Sequence, residues 1–370
     1  MPPQLPPFRA EHIGSLLRPK ALLEARYGPA PPDPEALRAL EDEHVAAVIR
    51  WQESLGLESI TDGEFRRISW RLGFLQKVTG FERMAAIGEV DLQHDDAGCA
   101  ARVGDAPCAV AKLRRTGPIV ADEVEFARRH TRRTVKATLP APSYLHYPRG
   151  DRCVAAAAYP DIEGFFDDVV EIYVAELEAL HRAGGRYVQL DEVAQTLLCD
   201  ERIRAAVSAR GDDPERLLGR YIDLINRVAR RRPGGMTLVV HMCRGNAMGR
   251  WIAAGGYERI AERAFGSLVV DAFFLEYDSE RAGGFEPLRF VPRGRAVVLG
   301  LVSTKTPRLE SETSLRRRID EASRYVPLEN LALSPQCGFA SRDLGSALSF
   351  ADQEAKLRLV VETAALVWTN

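Results

Sequence analysis

Two residues with metal-binding chemistry close a hydrophobic run in this chain: His241 and Cys243, in His241-Met242-Cys243, directly after Leu238-Val239-Val240. On a strand, residues i and i+2 project to the same side, so the imidazole and the thiol face one point. One borderline nitrogen ligand and one thiolate so placed suit zinc, although a lone His-x-Cys is also a common packing pattern. Cys337 strengthens the metal reading. It sits in Leu333-Ser334-Pro335-Gln336-Cys337-Gly338, where Pro and Gly turn the chain just past a strand and hold the thiol at its end. Glu276 ends an apolar run that includes Phe274-Leu275. A buried carboxylate needs a partner, and on spacing alone Glu276 reads equally as a ligand or as the salt-bridge partner of an arginine such as Arg244.

The other cysteines, Cys99, Cys108, Cys153 and Cys199, read as small buried hydrophobes. His94 with Cys99 lies in an acidic stretch that reads as solvated, and His44 and His181 fall on helical patterns as packing or surface residues.

The chain of 370 residues is 46% apolar, with 52 acids against 50 bases, which describes a globular protein without the basic footprint of a nucleic-acid or anionic-membrane binder. Six cysteines are too few for a disulfide scaffold. No run of eighteen apolar residues occurs, and Met1-Pro2-Pro3-Gln4-Leu5-Pro6-Pro7 lacks the features of a signal peptide, so the expected location is the cytoplasm. Nothing in the sequence specifies an oligomer.

The reactive residues need a frame. Short β-branched runs at Glu11–Leu16, Leu57–Thr61, Arg133–Leu139, Arg186–Leu190, Met236–Met242, Leu268–Leu275, Ala296–Val302 and Leu331–Ser334 read as eight strands. Helical periods lie between them: Glu35–Leu55, Gly164–Ala183 ending at Gly184-Gly185, a helix opened by Asp213-Pro214, Tyr257–Ala264, Ser314–Arg324 and Asp352–Trp368. The alternation predicts an α/β fold, a (β/α)8 TIM barrel forming one domain over residues 1–370. Residues 68–130 separate the second and third strands by more than one helix needs, which predicts a long excursion over one end of the barrel.

In such a barrel the active site lies at the C-terminal ends of the strands. Ser15, Asp62 and Glu64, Asp191 and Glu192, His241 and Cys243, Glu276, Ser303 and Cys337 all fall there. Arg18, Arg66, Arg67 and Arg244 also fall near the mouth, as surface arginines or as anchors for an anionic substrate group.

These ordered motifs resemble the cobalamin-independent methionine synthase family, specifically its C-terminal catalytic barrel, over nearly the whole chain. The resemblance implies a zinc site of His241, Cys243, Glu276 and Cys337. Ile13-Gly14-Ser15 is similar to the family's Ile-Gly-Ser, whose serine holds the amino-acid carboxylate. Asp62-Gly63-Glu64 and Gln189-Leu190-Asp191-Glu192 are similar to the segments whose glutamate and aspartate bind the homocysteine amine. The implied chemistry is a Zn2+-dependent methyl or alkyl transfer in which homocysteine or a similar aminothiol is activated as a zinc thiolate, in methionine biosynthesis. The implied partners are a small-molecule thiol and a methyl or alkyl donor, with no nucleic acid or membrane.

The chain departs from the family on the donor side. It has room for one barrel. Gly300-Leu301-Val302-Ser303-Thr304-Lys305 stands where the family's Asp-Ile-His-Ser-Pro carries a proton-delivering histidine, and the folate-stacking tryptophan after the third strand has no counterpart. The donor expected is therefore not polyglutamyl folate. Tyr144, His146, Arg244, Ser303 and Lys305 are the candidate contacts for the second substrate. The alternative enzyme reading is thiol addition to an epoxide, as in epoxyalkane:coenzyme M transferase, or the reverse lyase reaction. From another class comes a non-catalytic zinc or thiol-binding barrel. The metal-free uroporphyrinogen decarboxylase branch of the fold is disfavoured by four ordered residues of zinc-ligand type.

Overall fold

Helices begin where the sequence supplies a cap. The computed structural model describes residues 6–30, 32–86, 91–92, 101–102, 105–344 and 346–368. In it Asp33 accepts from the Glu35 N–H and Asp213 from those of Glu215 and Arg216, each with proline in the first turn. The helices are α1 (Lys20–Tyr27), α2 (Pro34–Ser54), α3 (Leu72–Gln76), α4 (Ala121–Arg128), α5 (Ile162–Arg182), α6 (Ala194–Leu197), α7 (Glu201–Ala209), α8 (Pro214–Arg230), α9 (Glu258–Ser267), α10 (Glu312–Ala322) and α11 (Phe350–Val367). After α5 the chain turns at Gly184, φ +82°, and the Gly185 N–H closes on the Leu180 carbonyl.

The strands are β1 (Ser59–Ile60), β2 (Val78–Ala85), β3 (Asp91–Leu92), β4 (Ala101–Arg102), β5 (Asp105–Arg115), β6 (Thr134–Pro140), β7 (Tyr187–Asp191), β8 (Thr237–Met242), β9 (Ala272–Glu276), β10 (Ala296–Val302) and β11 (Leu331–Pro335). Seven of them form one parallel sheet in the order β1-β6-β7-β8-β9-β10-β11, curled in the manner of a TIM barrel. Both faces of these strands are buried, which is why they read as near-continuous apolar runs. The run expected to begin at Leu268 becomes a strand only at Ala272. The Asp271 carboxylate just before it accepts from the Leu238 N–H, and the Asp271 N–H from the same junction reaches the Leu238 carbonyl.

The segment expected as a first strand, Glu11–Leu16, joins no ladder; the residue before it, Ala10, makes an isolated parallel bridge to Leu333. At this end the Glu11 N–H also reaches the Leu333 carbonyl, and at the other the Leu16 N–H reaches Gly63. The segment therefore contacts the last strand and the turn after the first. Its carbonyls are claimed by side chains instead of a ladder: Lys136 Nζ donates to His12, Gln189 Nε2 to Ile13 and Thr61 Oγ1 to Gly14. Gly14 sits at φ +142° against β6, where an added Cβ would lie 2.7 Å from Thr138 Cγ2.

Ile13, Tyr187, Val239, Ala272, Phe274, Val298 and Ala332 pack together as a buried cluster contributed by six strands or segments of the sheet and its border. Beside them Lys136 Nζ pairs with Glu11 Oε2 at 3.1 Å, both side chains fully buried, and the Tyr187 hydroxyl donates to Glu11 Oε1. Between β1 and β6 lie α3, the antiparallel pairs β2–β5 and β3–β4, and α4. β5 is anchored to α5 and the loop before it: Arg115 pairs with Glu176 at 2.6 Å, and the Leu113 N–H donates to the Tyr159 hydroxyl. His94 and Cys99 lie outside the described residues. No described helix is long and apolar enough to cross a membrane.

Candidate metal centre and substrate cavity

His241 is the fifth residue of β8, Cys243 follows that strand, and Cys337 stands two residues past β11. The curl of the sheet brings these ends together. One ligand atom from each of the three lies within 4.8 Å of the others, and all three residues are buried. Cys337 Sγ donates to Cys243 Sγ at 3.8 Å. Neither ring nitrogen of His241 has a hydrogen-bond partner, an unusual state for a buried imidazole.

Of the three groups, Cys243 alone is shifted toward its ligand form, the thiolate. The hydrogen bond from Cys337 and the charge of His241 hold the Cys243 thiol well below its ordinary value, and the same bond, with burial, pushes Cys337 well above it. Burial alone would lower the His241 pKa, but the neighbouring Cys243 sulfur, with Asp191 and Glu276, raises it. A buried imidazole with both nitrogens unspent, facing two thiols, is the donor set of a borderline divalent ion such as zinc.

Glu276 ends β9 beside this group but outside the cluster of three. Its Oε1 receives Lys305 Nζ at 3.0 Å and Arg281 Nη2 at 2.6 Å, and Oε2 accepts the backbone N–H of Arg244. Burial would raise this carboxyl, yet Lys305, Arg281 and Arg244 hold it well below the usual carboxylate range.

A cavity of about 220 Å³ opens onto the three residues and is also lined by Ser15, Glu64 and Asp191. Glu64 is held in the left-handed region at φ 60°, a conformation that costs about 1–3 kcal/mol for a non-glycine residue and concentrates at functional sites. The Asp62 carboxylate accepts its N–H, and its Oε1 accepts from Thr138 Oγ1 at 2.9 Å, while Oε2 is buried and unpaired. Arg67 fixes Thr138 and is itself tied to Glu123 at 2.7 Å. Asp191 accepts from Gln189 Nε2 through Oδ1. Burial, opposed by His241 and reinforced by Glu64, pushes its carboxyl up to about 7.

Of the other candidate contacts, Tyr144 lines the cavity and four do not. His146 is buried between the Tyr221 hydroxyl and Asp151, each 2.9 Å from a ring nitrogen, and so braces the turn that presents Tyr144. Arg244 folds inward over the Tyr257 ring and donates to the carbonyls of Gly255 and Glu276. Ser303 donates to Asp278, and Lys305 joins Glu276 and Asp278. Arg18, Arg66 and Arg67 are likewise spent on Leu16 and Ala340 carbonyls, on Asp42 and on Glu123.

The wall that the sequence did not reveal comes from the stretch after β1 and from loops. Trp70 packs edge-on against Tyr144 with centroids 4.8 Å apart, and Arg71 donates to the Tyr144 hydroxyl. Tyr147, Asn246, Ile252 and Arg210 complete it. An aromatic beside an arginine, in Ser69-Trp70-Arg71 shortly after the expected second strand, was the available signal for Trp70.

The fold and site together define an α/β protein of TIM-barrel type with a buried His–Cys–Cys group at the C-terminal strand ends. The model of the cobalamin-independent synthase catalytic domain matches residues 32–365, and the chain belongs to that family of methyltransferases, whose members named methionine synthase serve methionine biosynthesis. It is 38% identical over 367 residues to the Bacillus subtilis protein YxjH, covering 98% of this chain and 95% of that one. It is 27% identical over 354 residues to a methionine synthase of Pyrococcus abyssi, covering 92% and 88%. Among solved structures, the Listeria monocytogenes chain solved as a candidate vitamin-B12 independent methionine synthase is 34% identical, with a TM-score of 0.78 and coverage of 99% and 100%.

Proposed function

We propose that this protein is a zinc-dependent transferase that alkylates an aminothiol, homocysteine or a close analogue, with a donor other than polyglutamyl folate. The observation that carries the reading is the meeting, in one cavity, of the His241–Cys243–Cys337 group with Glu64 and Asp191.

His241, Cys243 and Cys337 are the residues proposed to hold zinc, with Glu276 the fourth member of the set. When bound, the ion lowers the pKa of a substrate thiol and fixes its sulfur. The rest falls to the side chains. The unpaired Oε2 of Glu64 and the carboxylate of Asp191 suit an ammonium group, and its arrival favours the ionised form of Asp191. Ser15 takes the carboxylate. Trp70, Tyr144 and Tyr147 offer the donor an apolar wall, and alignment there converts the transfer into an effectively intramolecular step. Val302 is buried where the family carries a proton-delivering histidine, and the cavity's described acids are Glu64 and Asp191 alone. A donor with a good leaving group, such as an S-methyl or corrinoid methyl compound, needs no such proton delivery, whereas an N-methyl folate does.

The same proposal extends to the frame: one domain over residues 1–370, closed as an eightfold barrel by segment 9–16, with 68–130 as the insertion that brings Trp70 and Arg71 to the mouth. Thiol addition to an epoxide is the second enzymatic reading, favoured by Arg342 along the cavity; Arg71 and Arg210 also line it but are tied to the Tyr144 hydroxyl and to Asp212. The deciding experiment pairs metal analysis with a panel of thiols and donors. Homocysteine methylation that is lost on chelation and restored by zinc supports the proposal. Preference for a sulfonated thiol and an epoxide supports the second reading, and full activity of metal-free protein removes both. Tight thiol binding without turnover of any donor marks a non-catalytic binding protein.

A further inference from the structure

Three arginines line the cavity, and their charges are not equally matched. Arg210 is neutralised: its Nε donates to the Asp212 carboxylate at 2.5 Å, and its Nη1 to the Tyr147 carbonyl. The side chain of Arg71 donates only to a neutral group, the Tyr144 hydroxyl, and forms no ion pair among the described residues. Arg342 is exposed and also pairs with no carboxylate among the described residues. Glu64 and Asp191, the cavity's described acids, take their hydrogen bonds from Thr138 and Gln189 and reach neither of these two cations. The Tyr144 hydroxyl accepts from Arg71, which polarises its own proton, and that proton has no acceptor among the described residues. Arg71 and Tyr144 thus offer adjacent N–H and O–H donors of the kind that hold an oxyanion.

Both donors are held from behind. Tyr144 sits in the turn Pro142–Leu145, whose end His146 braces against Tyr221 and Asp151. On the other side, Ser69 and Arg342 form an antiparallel bridge, flanked by the Trp70 N–H on the Ser341 carbonyl at 3.1 Å and the Asp343 N–H on the Ile68 carbonyl at 2.8 Å. This strap is pinned to α1, because the Asp343 carboxylate accepts from the Tyr27 hydroxyl at 2.7 Å and lies 3.5 Å from Arg26 Nη1. One strap therefore sets Trp70, Arg71 and Arg342 along the same cavity. Donors fixed by their frame lose little freedom when a ligand arrives.

We infer that Arg71 and the Tyr144 hydroxyl form an oxyanion subsite, and that the second substrate carries a carboxylate or phosphate that docks there while Trp70 covers its apolar body. The inference rests on the transferase reading above and narrows its donor to compounds in which the transferred group is attached to an anion. The anion is not that of the thiol, whose carboxylate and amine fall to Ser15, Glu64 and Asp191 in that reading. Arg342 makes no side-chain bond of its own. Its charge adds attraction for an approaching anion without fixing it, and salt screens that attraction.

The test is titration calorimetry on the full chain with homocysteine present, using phenyl phosphate as the probe and phenol as its neutral control. Phenyl phosphate is expected to bind the parent at least about tenfold more tightly than phenol, and Arg71→Gln to weaken it by roughly 10- to 100-fold, the range for hydrogen bonds to a charged group. Tyr144→Phe should cost about tenfold, and Arg342→Gln about threefold at low salt and nothing at high salt. Arg71→Lys keeps the charge without the planar fork, so it should fall between parent and Arg71→Gln, and it decides alone should Arg71→Gln fail to fold. Homocysteine binding, measured by itself, should be the same in parent and Arg71→Gln. Equal affinity of parent and both Arg71 variants for phenyl phosphate, no preference over phenol, or a matching loss of homocysteine binding overturns the subsite while leaving the transferase reading intact. Parent protein that binds phenyl phosphate through Arg71 but alkylates no thiol supports the subsite and overturns the transferase reading.

Discussion

The sulfur of Cys337 lies 3.8 Å from that of Cys243, although 94 residues of chain separate the two. Nothing but the curl of the sheet brings them together, so their shared chemistry reports directly on the fold. Parent protein is expected to hold about one zinc per chain after dialysis, and Cys337→Ser close to none, because the site loses one of its two thiolates outright. Elemental analysis of the two proteins checks this, with far-ultraviolet circular dichroism as the control for folding.

Glu64 and Asp191 are expected to recognise the amine of the thiol substrate. Replacing either by its amide should raise KM for homocysteine by about 10- to 100-fold, the range for a lost hydrogen bond to a charged group. The discriminating measurement uses 4-mercaptobutyrate, which lacks the amine: its KM should be nearly unchanged in Glu64→Gln and Asp191→Asn. An equal loss for both thiols would assign these carboxylates to the frame of the cavity and not to substrate.

Gly338 follows the Cys337 thiol, and a Cβ placed there would lie 2.0 Å from Ser15 Oγ. Gly338→Ala therefore forces the serine hydroxyl to rotate away. Homocysteine KM should rise by about tenfold, on the order of one charge-assisted hydrogen bond, while zinc content stays near parent. Ser15→Ala should reproduce the KM effect, and the double variant should add nothing to it.

His12 is buried, its Nε2 3.2 Å from the Ser59 carbonyl, and burial with the charge of Lys136 lowers its pKa to about 3. Below about pH 6.5 the unfolded chain takes up a proton that the folded chain refuses, so this residue lowers stability as pH falls, by about 1.4 kcal/mol per unit until about pH 3. Urea midpoints between pH 7 and 5 should fall more steeply for parent than for His12→Asn. Parallel slopes would show that His12 accepts its proton in the folded protein.

Much of the frame was legible because buried parallel strands announce themselves as apolar runs. Ala296–Val302 is the strand in both sequence and structure, and Asp213-Pro214 caps α8 as its residues require. Segment Glu11–Leu16 was harder for a physical reason: its backbone is satisfied by Lys136, Gln189 and Thr61, residues far along the chain, so its pattern reads as strand while its bonding does not. The thiols and the imidazole were visible through spacing and through the turn at Pro335 and Gly338. The donor-side candidates were less so. A side chain's end of a strand can be read from sequence, but its direction depends on long-range partners, and Arg244, His146 and Lys305 each found one away from the cavity. Trp70 arrived from a stretch without periodicity.

The bridge between Ala10 and Leu333 has a consequence for how the protein is made. Segment 9–16 leaves the ribosome long before β11, and until then its strand-side partner does not exist. The apolar residues Ile13 and Leu16 must wait, exposed or transiently covered, for the last strand of the sheet to be synthesised. Ser15 rides on that segment, so the cavity it lines is among the last parts of the molecule to become whole. A nascent chain arrested before β11 would carry His241 and Cys243 without Cys337 or a docked Ser15, and so would lack both the second thiol of the group and one wall of the cavity.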